Sequence, residues 1–372
     1  MEKEYIVTLH KGVDPIAFRQ DMIADNMLPY VPTKAVTVAN ERPASVRNTH
    51  YMLTDQEAVE LCNDRRVQAV ELRPDLRDDI GIARNTTQVG DFNKSTLTSG
   101  ANINWGLRRI SALANPYNTS GVAVGGYTHT LTGTGVDFIV QDSGIQADHP
   151  EFQDSFGISR VQQIDWYAAS GLSGTMPADF YTDYDGHGTH CAGIAAGKTY
   201  GWAKGSNIYS IKIAGLQGSS DPNTGLPISD IFDVVKEWHS NKPIDVLTGQ
   251  KRPTVINMSW GYFSRYLGIT GGRYRGVDWT GSSKVSSYGM TGAFDGVGYR
   301  HPTRIASVDA DVEELIEAGV TVCIAAGNGY HKIATASDPD YDNYYTGFGT
   351  NKYYHRGSSP YSTKAIMVGN ID

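Results

Sequence analysis

The apolar and polar positions divide the chain into stretches of different rhythm. Glu4 to His10 (EYIVTLH) alternates, as a half-buried strand does. Pro15 to Ala24 spaces Ile16, Phe18 and Met22 at loosely helical intervals. Ala35 to Val38 is a short strand candidate. In Thr54 to Cys62, Thr54 reads as an N-cap, Glu57 stands three residues on, and Ala58 and Leu61 share one face. Val67 to Leu72 (VQAVEL) returns to a strand rhythm. Over residues 1–80 this order predicts a small α+β domain, a compact sheet with helices on one side.

Residues 81–103 are rich in Asp, Asn, Thr, Ser and Gly and read as a linker. From residue 104 onward, apolar strands alternate with helices. Val136–Val140, Ile208–Ile213, Thr254–Asn257 and Val320–Ala325 are the strands. Ser229–Trp238 sets Ile231, Val234, Val235 and Trp238 at helical spacing, with Ser229 as the expected cap. Val308–Ala318 turns Val312, Leu315 and Ile316 to one face, and Gly319 offers the stop. The pattern predicts an α/β class: a mostly parallel sheet with helices on both faces. Chemistry in such sheets collects at the carboxyl ends of strands. Gly261 to Ile305 shows no clear period and reads as a long surface excursion, either a functional loop or a decorative insertion.

Composition narrows the function classes. The 372 residues are 40% hydrophobic and 19% charged, as in a globular chain of roughly two domains. A net charge of -8 without a long basic run excludes a nucleic-acid partner. No apolar run reaches the ~18 residues that span a bilayer, so no membrane partner is expected. The opening MEKEYIVTLHKG lacks the apolar core of a secretory signal, so the expected location is the cytoplasm or a larger particle. Cys62, Cys191 and Cys323 are too few and too scattered for a disulfide framework and read as small buried side chains in a reducing compartment.

Three segments carry candidate chemistry. Asp142 closes an apolar strand, where a carboxylate can fix the tautomer of a histidine ring and stabilise its imidazolium. His187 lies among glycines that let backbone and ligand approach, and is its natural partner. Asn328 follows another strand among small residues, where its amide can donate to a developing oxyanion. Each has a plainer reading when taken alone: Asp142 as a turn or cap residue, His187 as a structural histidine, Asn328 as a turn cap. His149, His187, His190 and Cys191 invite a zinc reading, but their spacing is not that of a zinc-protease helix.

Together the segments carry a resemblance. QDSGIQADHPEF, DGHGTHCAGIAAG, INMSWG and IAAGNG, in that order, resemble the motifs of subtilisin-like serine proteases. WGLRRIS (Trp105 to Ser111) and GWAKGSNIYSIKI (Gly201 to Ile213) extend it, and the pattern is most similar to the proteinase K-like branch. It covers about residues 104–372, and residues 1–80 resemble the family's inhibitory prosegment. The resemblance implies that Asp142 orients His187, that His187 acts as general base and then acid, and that Asn328 is an oxyanion donor. It implies a substrate-pairing edge at Ser259, Trp260 and Gly261, and a primary side-chain pocket lined by Ala325, Ala326 and Gly327. No cofactor is required. Glu151 is a candidate ligand for a structural calcium and equally a surface carboxylate. The implied partners are a peptide or protein substrate and the chain's own prosegment, its tail (around Leu72 to Arg84) laid in the cleft.

One element of the family pattern is missing. The nucleophile belongs to a Gly-Thr-Ser-Met-Ala-type segment, and the sequence has none. GTGVD at 133–137 leads into the aspartate strand. GSSPYS at 357–362 precedes AIMVGNID, which resembles the strand that the family places ahead of its serine. The expectation is therefore a serine endopeptidase in zymogen-like form, its catalytic domain incomplete at the C-terminus and its serine supplied downstream or by another polypeptide. The alternative is a catalytically inactive structural or binding module with the protease fold.

Overall fold

The structure, a computed structural model, describes residues 1–25, 27–83, 107, 110, 129–214, 224–246, 248–292, 298–329 and 331–369. Lys3–Leu9 (β1), Val38–Asn40 (β2), Asn48–Leu53 (β3) and Val67–Leu72 (β4) form an antiparallel sheet in the order β2-β3-β1-β4. The alternation in β1 sorts its side chains. Tyr5, Val7 and Leu9 pack with Phe18, Met22, Tyr51, Leu53 and Leu61 beneath Pro15–Ile23 (α1) and Asp55–Leu61 (α2). Thr54 caps α2 as the sequence predicts. Its side chain accepts from the Glu57 N–H, and Glu57 accepts from the Thr54 N–H at 2.8 Å.

The second face of this sheet is also buried, with Ile6 and Thr8 only 3% and 0% exposed. Two helices of the larger domain, Ile228–Asn241 (α5) and Ala306–Glu317 (α6), bind this side of the N-terminal unit. Arg42 reaches Asp233 on α5 and Asp311 on α6. Ser45 donates to Glu314, Arg47 pairs with Glu313 and Lys11 pairs with Glu317. Charge complementarity of this kind fixes the register of a contact more than its strength.

The larger domain is built on a six-stranded sheet ordered β17-β14-β9-β6-β8-β7. Its strands are Asp137–Asp142 (β6), Val161–Gln162 (β7), Asn207–Lys212 (β8), Thr254–Met258 (β9), Thr321–Ala325 (β14) and Ile366–Val368 (β17), and every pairing is parallel. Ile139, Ile211, Ile256, Val322 and Ile324 meet α5 and α6 on one face, where Trp166 of the short helix Trp166–Ser170 (α3) packs edge-on against Trp238 of α5. Phe138, Val140 and Ile208 meet Ala192 and Ala196 of His187–Ala196 (α4) on the other. The predicted fold class is therefore the observed one. Each fully buried Ile or Val stabilises the fold by about 1.5–3 kcal/mol, which explains the continuous apolar run of β6. No helix among the described residues is long and apolar enough to cross a membrane.

Three local expectations change. Ser229 does not cap α5. The helix begins at Ile228 behind Pro227, which occupies the cap position without a side-chain bond, and the Ser229 hydroxyl turns to Asp230. Ile80–Ala83 (β5), placed largely in the linker, is a strand. It pairs antiparallel with Gly261–Arg265 (β10), which pairs on its other side with Arg300–Pro302 (β13). The stretch from Gly261 to Ile305 is also not simply a surface excursion. Ile269–Tyr274 (β11) and Val277–Thr280 (β12) form a hairpin that joins Tyr344–Gly347 (β15) and Thr350–Tyr353 (β16) in an antiparallel sheet. Its core is Ile269, Trp279, Met290, Tyr345 and Tyr354. Residues 84–103, and Trp105 to Ser111 apart from Leu107 and Ile110, lie outside the described residues.

Candidate active site

β6 is a central strand, and every one of its residues is buried. Its last residue, Asp142, is 3% exposed. An isolated carboxylate there is costly, so it must be hydrogen-bonded or neutralised. His187 supplies this. Its Nδ1 lies 2.8 Å from Asp142 Oδ1 and 3.0 Å from Oδ2, and the Ser143 N–H donates to Oδ1 at 2.8 Å. With Nδ1 donating, Nε2 is the acceptor of the neutral ring.

His187 opens α4. The preceding Gly186 has φ 84°, the left-handed region that glycine enters without strain. Gly188 is needed for another reason: a Cβ there would lie 2.1 Å from the Gly144 carbonyl oxygen. The glycines thus let the helix start directly against the end of β6. The hydrogen bond to Asp142, and next the Cys191 sulfur, raise the His187 pKa to about 11 against the opposing effect of burial. The neighbouring carboxylate thus favours the charged form of the ring, the form a base holds once it has taken up a proton.

Cys191, one helical turn after His187, brings its Sγ to 3.8 Å from Nδ1. The sequence set Cys191 beside His187 only in the zinc reading that its spacing argued against, and expected all three cysteines to be buried. Cys62 is instead exposed and Cys191 and Cys323 are half-buried, and the i, i+4 spacing from His187 was the available signal for the contact. Asp142, His187 and Cys191 are the single group of three potential metal donors found among the described residues, and their donor atoms lie within 4.8 Å of one another. His149 and His190 do not join it. The His149 Nδ1 accepts from the Glu151 N–H at 3.2 Å. Glu151 Oε2 accepts from the Thr199 and Tyr200 N–H groups at 2.8 and 3.2 Å, and these bonds outweigh burial to hold its carboxyl below the usual range. As a calcium ligand it would have to share that oxygen or use the other.

The remaining predicted residues follow the carboxyl ends of β9, which neighbours β6, and of β14, which lies one strand further out. Ser259 follows β9 and accepts from the Asn257 amide at 2.9 Å. Trp260 is 5% exposed and packs edge-on against Tyr262 at 5.7 Å, so it is a core residue. Gly261 begins β10 and faces Ala83 across the pairing. Ala325 ends β14, the Ala326 N–H donates to the Val368 carbonyl at 2.8 Å, and Gly327 has φ 86°. Ala326, Gly327 and Asn328 are exposed. The topology brings these segments to one edge, and the direct side-chain bond is that between Asp142 and His187. Asp183, which also escaped the sequence reading, gathers the loop ahead of α4. An Asp just before a helix start is the usual signal of such a cap.

Comparison with known proteins agrees with this geometry. Residues 133–372 match the model of the subtilase family, Peptidase S8. An extracellular serine proteinase of Thermus sp. (strain Rt41A) is 27% identical over 285 residues, 77% of this chain and 48% of its own length. Proteinase R of Parengyodontium album is 36% identical over 123 residues, 33% of this chain and 26% of its own. Alkaline protease 1 of Aspergillus clavatus is 28% identical over 305 residues, 76% of this chain and 65% of its own. The chain thus spans less than two thirds of the length of these relatives. With a parallel sheet bearing an aspartate–histidine pair at its carboxyl edge and a family match over residues 133–372, the chain belongs to the subtilase family of subtilisin-like serine proteases.

Proposed function

We propose that this chain carries the acid–base half of a serine endopeptidase site, together with an N-terminal unit (residues 1–80) that serves as its inhibitory prosegment. The observation that carries the reading is the Asp142–His187 pair, with Nδ1 at 2.8 Å from the carboxylate, beside a strand edge able to hold an extended peptide. Asp142 holds the Nδ1 proton. His187 Nε2 takes the proton of a nucleophilic hydroxyl and returns it to the leaving amine. Asn328 donates to the carbonyl oxygen as it becomes an oxyanion. The peptide lies along the Ser259–Gly261 edge, its main chain giving affinity and the Ala325–Gly327 pocket giving selectivity.

Under this reading the N-terminal unit blocks the site in cis. Its support is the pairing of Ile80–Ala83 with β10, which continues from the proposed substrate edge. The nucleophile in the scheme is the serine of a Gly-Thr-Ser-Met-Ala-type segment. Residues 1–372 contain none, so the serine comes from sequence outside them, downstream or on a second polypeptide.

A serine-directed fluorophosphonate probe tests the scheme. The 372-residue chain should remain unlabelled, and protein completed with the downstream coding sequence should label and hydrolyse peptides. His187→Ala in the completed protein should abolish hydrolysis, and undiminished hydrolysis would refute the assignment. The occupied β10 edge also favours a second reading, an inactive protease-fold binding module, which predicts no labelling of either form.

A further inference from the structure

We infer that Asp183 is a positioning residue for the catalytic pair, clamping the end of β6 to the first turn of α4 so that Asp142 and His187 stay in register. The inference starts from the helix. The first N–H groups of any helix lack intrahelical partners, and α4 begins at a glycine that offers no side-chain cap. The Asp183 carboxylate stands in for it. Oδ1 accepts from the Gly186 N–H at 2.9 Å and the Asp185 N–H at 3.1 Å. Oδ2 accepts from the Thr189 N–H at 3.0 Å and its hydroxyl at 2.6 Å.

The same carboxylate also reaches the other half of the pair. Asp183 Oδ1 accepts from the Ser143 hydroxyl at 2.8 Å. Ser143 is the residue after Asp142, and its Oγ in turn accepts from the Gly188 N–H at 2.9 Å. Thr189 Oγ1, held by Asp183, accepts from the Gln146 N–H at 2.9 Å, which binds the turn after β6 to the same helix. His187 therefore sits between two backbone positions, 186 and 188, that are tied to Asp183 or to its partner Ser143. Asp183 itself does not touch the imidazole. Burial would raise its carboxyl, but the Thr189, Gly186 and Ser143 bonds outweigh it and hold the group below the usual carboxylate range.

The consequence is specific. The His187–Asp142 bond depends on a strand end and a helix start that belong to different elements. Removing the clamp frees the helix start, so the ring loses its fixed distance to the carboxylate while the sheet remains. The inference rests on the reading of Asp142 and His187 as the acid–base pair. Its readout is a titration, so it fails independently of any failure to hydrolyse peptides.

The experiment uses the full chain and follows the His187 imidazole by NMR. In the unmodified chain the Nδ1 proton should give a slowly exchanging downfield signal and the ring a strongly raised ionisation. Asp183→Ala should remove that signal and lower the ionisation by at least about one pKa unit. Asp183→Asn, which keeps one acceptor oxygen, should fall between the two, and it decides the matter if the alanine variant does not fold. Asp340→Asn removes a buried carboxylate from the β15–β16 region and should leave the His187 titration unchanged. A folded Asp183 variant with the original signal and titration would overturn the inference. So would an equal change in the Asp340 variant, because it would mark general loosening.

Discussion

Arg42 and Asp233 join the N-terminal unit to α5 through a bidentate ion pair, Nε to Oδ2 at 2.5 Å and Nη2 to Oδ1 at 3.0 Å. The Arg42 side chain is 1% exposed, and its Nη2 also reaches Asp311 Oδ1 at 3.0 Å. Removing the guanidinium strands two carboxylates in a dry seam. Arg42→Ala should therefore cost about 3–5 kcal/mol, because one partner of a buried charge network is lost. Urea unfolding measures the cost, and limited proteolysis should show the N-terminal unit becoming cleavable first. An unchanged unfolding midpoint would contradict the buried network.

Asp309, in the first turn of α6, gives a pH dependence with a definite sign. Burial raises its pKa to about 7 despite the 2.7 Å bond from Arg304 Nε. The unfolded chain releases this proton near pH ~4, so the folded state holds it over a wider range. The contribution of Asp309 is fully present below about pH 4 and is lost as the pH rises through about 7. Asp311 titrates in the same direction, raised to about 7 by burial. Asp309→Asn should flatten part of the fall in melting temperature between pH 4 and 8, and parallel curves for the two proteins would rule this out.

Gly188→Ala tests the close approach of α4 to β6. The added methyl would meet the Gly144 carbonyl at 2.1 Å and the Asp142 Cβ at 3.2 Å. Overpacking of this kind costs about 1–3 kcal/mol. The displaced helix start should also weaken the His187 Nδ1 signal. A variant with unaltered melting and an intact signal would show that the approach is not tight.

Asp142→Asn separates the carboxylate from the geometry. The raised ionisation of His187 comes first from its bond to Asp142, so the substitution should bring the ring back toward its ordinary range, as NMR titration of this chain would show. In the completed protein kcat should fall about 10⁴-fold, the scale seen when a triad carboxylate is replaced by its amide. Because the base must lose its proton before it can accept another, hydrolysis by the unsubstituted protein should rise toward alkaline pH.

The legible parts of the molecule were those decided locally. β6 and β14 read as strands because sheets buried on both faces favour apolar runs such as Phe138–Val140 and Val322–Ala325, and β8 read as one from its isoleucine-rich IYSIKI. Asp142 and His187 were legible because glycines and small residues surround them in a fixed order. The illegible parts depend on distant partners. α6 has no cap of its own at Ile305, and the Ser307 N–H donates instead to Glu71 of the N-terminal unit at 3.1 Å. β5 is a short Gly-containing segment with no strand rhythm, and β10 alone gives it that state. The β11–β16 sheet hides its core in tyrosines and tryptophan spaced among glycines, and it closes only when Ile269 meets Gly347.

The pairing of β5 with β10 has a further consequence because both strands belong to one polypeptide. Under the proposed function, an incoming peptide would compete against a strand of the same chain, whose effective concentration is set by the covalent connection and not by the amount of protein. Dilution does not change that competition, and neither does the total amount of protein. Only a break in the chain after Ala83 turns it into an ordinary encounter between separate molecules, which weakens as the solution is diluted. Occupancy of the edge is therefore governed by a covalent bond, and cutting that bond is an irreversible step that concentration alone cannot imitate.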